Sequence, residues 1–326
     1  MGMLGLRYDL RVPDFAPTTH AEQYHACLEI CDWADRVGFD MVALSEHHGV
    51  DDGYMSAPLS IATAVLSRTS RLPVIIGALL IPLHDPVRLA EQLAAIDLLA
   101  PGRLNIIAGL GYRPEEFAMA DVDRRRRGPL AEEAIGVLRQ PWTGEPFEWR
   151  GRTIRVTPRP ATLGGPTVFV GGSVEAAARR AARLHCGFFA AVADPELEAA
   201  YREECAKVGY AHPFFAAPSG PSFQMVSDDP DATWAEIGPN AHYDVSTYSA
   251  WQDGSQRSTY EVHDAKGWEE VRASAVYQVL TPDEMVESIN STGAVMLHPL
   301  MGGISPEIAW RSLELFESKV LPRVNR

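Results

Sequence analysis

The chain alternates between short continuous apolar runs and longer amphipathic segments. Eight apolar runs lack the apolar–polar alternation of a half-exposed strand; they span residues 4–7, 41–44, 74–81, 104–109, 167–170, 187–191, 222–226 and 294–297. Such runs are typical of parallel strands that helices cover on both faces. Eight strands separated by helices predict an α/β fold of the (β/α)8 TIM-barrel type. An open doubly wound sheet is the alternative, and the lack of a GxGxxG motif after the first run disfavours it.

The helices between these runs have recognisable ends. Helices are predicted to begin at four capping signals, namely Thr19-His20-Ala21-Glu22, Asp85-Pro86, Thr281-Pro282 and Ser305-Pro306. The first helix is expected to end at Gly38, since glycine tolerates the positive φ of a helix C-terminus.

Two stretches depart from the simple repeat. Residues 147–156 predict a β-hairpin that turns at Arg150-Gly151, between strands four and five. Residues from about 228 to 279 form an aromatic-rich insertion before strand eight, which contains Trp234, Tyr243, Tyr248, Trp251, Tyr260, Trp268 and Tyr277. This insertion is either a lid over the barrel mouth or helical padding whose aromatic rings pack on the barrel. We predict one barrel domain over residues 1–326.

Composition narrows the classes of function. The formal net charge of −14 argues against non-specific nucleic-acid binding, which needs a basic face. The N-terminus lacks the apolar segment of a signal peptide, and no apolar run approaches the length of a membrane span. The four cysteines form no CxxC pair, as expected for free thiols in a reducing compartment. We therefore expect a soluble, cytoplasmic protein.

The main candidate for chemistry is Ser45-Glu46-His47-His48, directly after the second strand. Carboxyl ends of parallel strands are where ligands collect, and two imidazoles with a carboxylate suit proton transfer or anion stabilisation. Adjacent residues of an extended segment point to opposite sides, so His47 and His48 are poorly placed to chelate one ion, and we predict no metal site. No lysine ends a predicted strand, which disfavours Schiff-base chemistry. With a metal site and a catalytic lysine both disfavoured, an organic cofactor is the expected source of the chemistry.

Glycine-containing turns provide candidate contacts for such a cofactor. Gly171-Gly172-Ser173 follows the fifth strand and opens a helix, with Ser173 as its predicted cap, so the turn suits a phosphate; an ordinary capped turn is the alternative. Arg126, in the run 124–127, is a candidate partner for that phosphate, unless the run is a solvated face. Gly109, Gly111 and Tyr112 end the fourth strand, and Gly77-Ala78 marks a possible bulge where backbone faces a planar ligand.

Together these segments resemble the bacterial luciferase-like family of flavin-dependent oxidoreductases over nearly the whole chain. The resemblance rests on the order and spacing of Gly38-Phe39-Asp40, Ser45-Glu46-His47-His48, Ser56-Ala57-Pro58-Leu59, Thr69-Ser70-Arg71-Leu72, Ile81-Pro82-Leu83-His84-Asp85-Pro86, Leu98-Leu99-Ala100-Pro101-Gly102-Arg103, Gly109-Leu110-Gly111-Tyr112, Trp142-Thr143-Gly144-Glu145-Pro146, Gly171-Gly172-Ser173 and Val320-Leu321-Pro322. Two positions depart from the family pattern. Gly109-Leu110 stands where true luciferases have arginine and cysteine, and His185-Cys186-Gly187 replaces the common GDG motif.

The resemblance implies a site and a reaction. The ring of reduced FMN would lie at the open end of the barrel, with its phosphate at Gly171-Gly172-Ser173 and a non-proline cis peptide at the bulge near Gly77-Ala78. The reduced flavin and O2 would oxidise a small organic substrate, and the aromatic residues of the insertion suggest that this substrate is apolar. His48, and secondarily His47, would act as acid–base groups, and Glu46 would orient its neighbour or pair with an arginine. A homodimer is expected, and light emission is not implied.

Two other functions remain open. A branch of the family uses the deazaflavin coenzyme F420 for hydride transfer, and the same histidine would then polarise a carbonyl. A flavin-binding barrel without turnover is the alternative of another class, although a mere binder has no need of the cluster at 46–48. Because no typical nicotinamide site is apparent, a separate flavin reductase is the expected source of reduced FMN.

Overall fold

The computed structural model describes residues 2–218, 220–252, 257 and 265–324. The strands are β1 (Met3–Tyr8), β2 (Met41–Leu44), β3 (Val74–Leu80), β4 (Leu104–Gly109), β5 (Phe147–Trp149), β6 (Arg152–Ile154), β7 (Thr167–Gly172), β8 (Phe188–Ala190), β9 (Phe215–Ala216), β10 (Phe223–Val226), β11 (Tyr277–Leu280) and β12 (Ala294–Leu297). The α-helices are α1 (His20–Val37), α2 (Pro58–Arg68), α3 (Pro86–Leu99), α4 (Pro114–Met119), α5 (Arg127–Arg139), α6 (Glu175–Arg183), α7 (Pro195–Val208), α8 (Pro230–Ala250), α9 (Trp268–Ala273), α10 (Pro282–Thr292) and α11 (Pro306–Leu315).

The chain forms two compact units. The first comprises Met1–Leu44, Val50–Ser56 and Ser219–Arg326, and the second comprises Ser45–Gly49 and Ala57–Pro218. In the first unit the strands lie in the order β11-β10-β12-β1-β2 and are parallel. In the second unit the parallel order is β3-β4-β7-β8-β9, and β5 and β6 form a separate antiparallel hairpin. Parallel strands with intervening helices confirm the predicted α/β class.

All eight predicted strands are present, and so is the predicted hairpin. The strands β9 and β11 were not predicted, and β11 lies within the aromatic-rich insertion. The predicted helix starts are also confirmed. Thr19 and Thr281 each form a capping box, while Asp85 and Ser305 accept hydrogen bonds from backbone N–H groups of the first turn. Gly38 ends α1 with φ of 88°, a conformation that favours glycine.

The insertion contributes to the core of the first unit. Trp234 of α8 stacks on Trp268 of α9 with ring centroids 6.1 Å apart, and Tyr277 of β11 stacks on Phe223 at 5.6 Å. Both Trp234 and Tyr277 are buried among apolar side chains of this unit. For Trp234, Trp268 and Tyr277, these contacts favour packing against the core over a lid. Tyr260 lies outside the described residues.

A buried ionic cluster fixes α8 within the first unit. Arg11, which is fully buried, donates to Asp52 at 2.7 Å and to Asp244 of α8 at 3.1 Å. Tyr277 donates a short hydrogen bond to the other oxygen of Asp244, and Tyr243 donates to Asp52 at 2.9 Å. Each of the two buried carboxylates thus pairs with Arg11 and accepts a hydrogen bond from a tyrosine hydroxyl. No described helix is both long and apolar enough to cross a membrane.

Candidate active site

Glu46 is a buried carboxylate that connects two imidazoles. Its Oε1 atom lies 3.0 Å from Nε2 of His48 and 3.2 Å from Nε2 of His84, and its Oε2 atom accepts a hydrogen bond from the backbone N–H of Leu80. The side chain of Glu46 has no exposed surface. Since an ionised carboxylate only accepts hydrogen bonds, both imidazoles carry their hydrogen on Nε2 in this arrangement.

The electrostatics keep this carboxylate charged. Burial alone would raise the pKa of Glu46, but the hydrogen bonds from His48, His84 and the Leu80 amide outweigh it and lower the pKa to about 2. The hydrogen bond to Glu46 in turn raises the pKa of His48, against the effect of its partial burial. The pair therefore favours a proton on His48.

His47 is held by a different set of partners. Its Nδ1 atom lies 2.7 Å from Oε1 of Glu116, and its Nε2 atom lies 3.3 Å from the hydroxyl of Tyr112. With Glu116 ionised, Nδ1 donates, so Nε2 accepts from the Tyr112 hydroxyl. Both ring nitrogens are thus occupied, and the residue is only 6% exposed. The predicted divergence of the two adjacent imidazoles is confirmed, since each binds its own carboxylate.

The start of α4 positions Glu116. The same Oε1 atom also accepts the backbone N–H of His48 at 3.1 Å, and Arg113 donates to the carbonyl of His48 at 2.7 Å. Oε2 of Glu116 is buried and makes no hydrogen bond within the described part of the chain. This pairing fixes the backbone between the two histidines.

In residues 2–218, 220–252, 257 and 265–324, no three His, Cys, Asp or Glu side chains are arranged to hold a metal ion.

Three of these partners were not predicted from the sequence. His84, Arg113 and Glu116 all follow strand ends, His84 after β3 and the other two after β4. The only sequence signal for these three residues was their position just after a predicted strand. It does not single these residues out, because their contacts with 46–48 span 38 to 69 residues of sequence.

The bulge within β3 lies against the last residue of β4. Gly77–Ala78 is a cis peptide at a β-bulge between β3 and β4, as the family resemblance implies. A Cβ atom added to Gly109 would lie 2.6 Å from Cβ of Ala78, so only glycine fits beside the bulge. Gly111 has φ of 73°, which also favours glycine, and it leads to Tyr112 at the histidine cluster.

The turn after β7 is built differently from the prediction. Val174, not Ser173, is the N-cap of α6, and it makes no side-chain capping bond; Ser173 is buried one residue earlier. A Cβ on Gly171 would lie 2.8 Å from Ile107, and one on Gly172 would lie 2.5 Å from Ala177. Close packing therefore requires both glycines, whether or not a ligand approaches them.

The arginine run lies at the start of α5. Arg126 is exposed as the N-cap of α5, and Arg125 pairs with Asp123 at the surface. Arg127 reaches inward and donates to the carbonyl of Gly111 at 3.0 Å. Gly128 approaches Arg180 of α6, which brings the start of α5 beside the helix that follows the 171–173 turn.

Comparison with known families gives a match over most of the chain. The profile of the family described as luciferase-like monooxygenase matches residues 11–294. A 4-hydroxyprotoasukamycin monooxygenase of Streptomyces nodosus subsp. asukaensis is 30% identical over 41% of this chain and 38% of its own length, so the chain covers well under half of that relative. An FMNH(2)-dependent dimethylsulfone monooxygenase of Pseudomonas fluorescens is 27% identical over 89% of this chain and 84% of its own length.

Solved structures extend the likeness to the whole fold. The oxygenating constituent of 3,6-diketocamphane monooxygenase from Pseudomonas putida, a complex with FMN, gives a TM-score of 0.71 at 17% identity over 100% of this chain and 99% of its own. An F420-dependent secondary alcohol dehydrogenase gives 0.69 at 16% identity over 100% and 99%. At these identities the likeness concerns the fold alone. Luciferase-like enzymes of this kind are TIM barrels, which confirms the predicted fold class.

Proposed function

The chain belongs to the luciferase-like monooxygenase family, and from this premise we propose that it uses reduced FMN and O2 to oxidise a small, apolar organic substrate. The observation that carries the proposal is the hydrogen bond between His48 and the buried Glu46 at 3.0 Å. It gives the site an ionisable group with a matched counter-charge at the end of a strand, where this fold binds its ligands.

His48 is the acid–base residue in this proposal. Glu46 holds the hydrogen on Nε2, so the neutral ring presents the lone pair of Nδ1, and no described residue hydrogen-bonds that atom. When Nδ1 takes a proton, the buried carboxylate stabilises the resulting imidazolium. His47 differs because Glu116 and Tyr112 occupy both of its nitrogens. We assign it the role of holding Tyr112 and the backbone beside His48.

The surroundings fit a flat cofactor. At the cis peptide, Gly77 and Ala78 carry no side chain larger than a methyl group, which suits the approach of a planar ring, and Gly109 packs beside them as part of the same wall. Reduced FMN, when bound there, supplies the electrons that activate O2. Gly171, Gly172, Ser173 and Arg126 are the residues we assign to its phosphate, with Gly111 and Tyr112 near the ring.

Hydride transfer with coenzyme F420 is the second candidate. It is favoured by the structural likeness to an F420-dependent alcohol dehydrogenase at nearly the same TM-score as to the FMN complex. His48 would then donate a hydrogen bond to a substrate carbonyl. A flavin-binding protein without turnover is less favoured, because a mere binder gains nothing from three carboxylate–imidazole pairs. We also expect a homodimer supplied by a separate flavin reductase.

Cofactor titration tests the proposal. The purified protein is titrated anaerobically with reduced FMN and, separately, with reduced coenzyme F420, and each complex is then exposed to O2. We expect tighter binding of reduced FMN and an O2-dependent step that His48→Gln slows by about 10²-fold or more. His212→Gln, at an exposed histidine, is the matched control. Preference for F420 without consumption of O2 would replace the monooxygenase by a hydride-transfer enzyme.

A further inference from the structure

His48 and His84 share one oxygen of one carboxylate. Both Nε2 atoms bond to Oε1 of Glu46, at 3.0 and 3.2 Å, although the rings come from different segments of the chain. The side chains of His48 and His84 are 25% and 24% exposed, whereas that of Glu46 is fully buried. Two accessible titratable rings are therefore joined through a carboxylate that solvent does not reach.

The position of His84 is set by its local structure. It follows a short 3-10 turn, Ile81–Leu83, and its backbone N–H donates to the carbonyl of Ile81 at 3.2 Å. The next residues, Asp85-Pro86, cap and open α3. The turn at the end of β3 thus delivers the imidazole to Glu46, while the Leu80 amide at the same strand end binds the other carboxylate oxygen.

The charges around His48 leave Glu46 as the anion common to both rings. Glu116 accepts from the backbone N–H of His48 and from His47, and Arg113 donates to the His48 carbonyl. Glu116 favours and Arg113 disfavours a proton on His48, in addition to the larger effect of Glu46. Neither of these two groups hydrogen-bonds His84, whose imidazole pairs with Glu46.

We propose that His84 is a positioning residue that sets the protonation state of His48 through their shared carboxylate. Both rings bind the same oxygen of Glu46, so a proton on His84 draws that oxygen toward His84, weakens its hydrogen bond to His48 and thereby disfavours a proton on His48. We call this dependence of one ring's protonation on the other the coupling of the two rings. The assignment of an acid–base role to His48 rests on the proposed function, but the coupling itself does not depend on it.

Histidine-selective NMR of the cofactor-free protein tests the coupling directly. His84→Gln retains an N–H donor toward Glu46 but cannot take up a proton. We expect this variant to raise the pKa of His48 by roughly half a unit to one unit, since the competing charge is gone. His212→Gln should leave the titration unchanged, and the His48 signal is assigned by its loss in His48→Gln. His84→Asn serves as a second variant if His84→Gln folds poorly.

The Glu46→Gln background separates the shared carboxylate from direct repulsion between the rings. There the pKa of His48 should fall, and adding His84→Gln should produce at most half of the shift seen with Glu46 present. An unchanged His48 titration in both His84 variants overturns the proposal, and so does an undiminished shift in the Glu46→Gln background. Failure of oxygen chemistry with a normal coupling would refute the proposed function alone.

Discussion

Glu116 accepts a hydrogen bond from Nδ1 of His47 at 2.7 Å, across 69 residues of sequence. The same carboxylate oxygen bonds the backbone N–H of His48, so one buried side chain orients one histidine and holds the backbone of the next. The two imidazoles are therefore differentiated by their carboxylates, although they are neighbours in the chain.

Loss of Glu116 is expected to destabilise the fold. Glu116→Ala removes the buried acceptor of the Nδ1 hydrogen of His47 and of the backbone N–H of His48, which typically costs about 2–4 kcal/mol of unfolding free energy. Urea denaturation at neutral pH measures the change. Glu115→Ala, one residue earlier in α4 and exposed, should change stability by less than about 0.5 kcal/mol. Equal effects of the two variants would contradict the role assigned to Glu116.

Stability should depend on Glu46 at acid pH. The pKa of Glu46 is lowered to about 2 in the folded protein, against about 4.3 in an unfolded chain. Its contribution, about 3 kcal/mol, is complete above the unfolded value and is lost as pH falls toward 2. The stability difference between the native protein and Glu46→Gln should shrink by about 2 kcal/mol between about pH 6.5 and about pH 3. A difference that is independent of pH would refute the lowered pKa.

His48 should act in the opposite direction. Because its pKa is raised by Glu46, its contribution to stability is complete below the unfolded value of about 6.5 and is lost as pH rises through the folded value. His48→Gln should therefore destabilise the protein more at about pH 5.5 than at about pH 9. Parallel denaturant titrations of native protein, His48→Gln and His212→Gln measure this. A larger loss at alkaline pH would be incompatible with the pairing.

Two glycine substitutions should have opposite signs. In Gly109→Ala the new methyl group would lie 2.6 Å from Cβ of Ala78, so the bulge must shift, at a cost of about 1–3 kcal/mol. Gly136, in α5, has no heavy atom within 4 Å of an added Cβ. Gly136→Ala should therefore stabilise the protein by about 0.5–1 kcal/mol, because alanine is the better helix former. Thermal unfolding distinguishes the two, and Gly109→Ala should also weaken binding of reduced FMN.

Local signals predicted most of the elements. Strands appear as short apolar runs and helices begin at caps, and both signals lie within a few neighbouring residues. The predicted cap of α6, Ser173, was wrong. Ser173 and Val174 are adjacent, and the sequence does not show which of them adopts the capping position. β11 was missed because Tyr277–Leu280 was grouped with the aromatic-rich insertion that precedes strand eight.

The candidate site was predicted only in part. Glu46, His47 and His48 were identified because they adjoin in the chain. Their partners His84 and Glu116 are brought to them by the folding of β3, β4 and α4, and no local pattern encodes that proximity. Sequence alone therefore identified the titratable groups but not which carboxylate binds which imidazole.

His47 and His48 are adjacent in the chain but bind different carboxylates, Glu116 and Glu46. This arrangement constrains how residues 46–48 can change during evolution. Substitution of one histidine leaves the carboxylate pairing of the other in place, so the two positions can change independently. A one-residue insertion or deletion would instead exchange the sides, and would present each imidazole to the other's carboxylate. We therefore expect natural variants to retain the length of this segment even where they replace its residues.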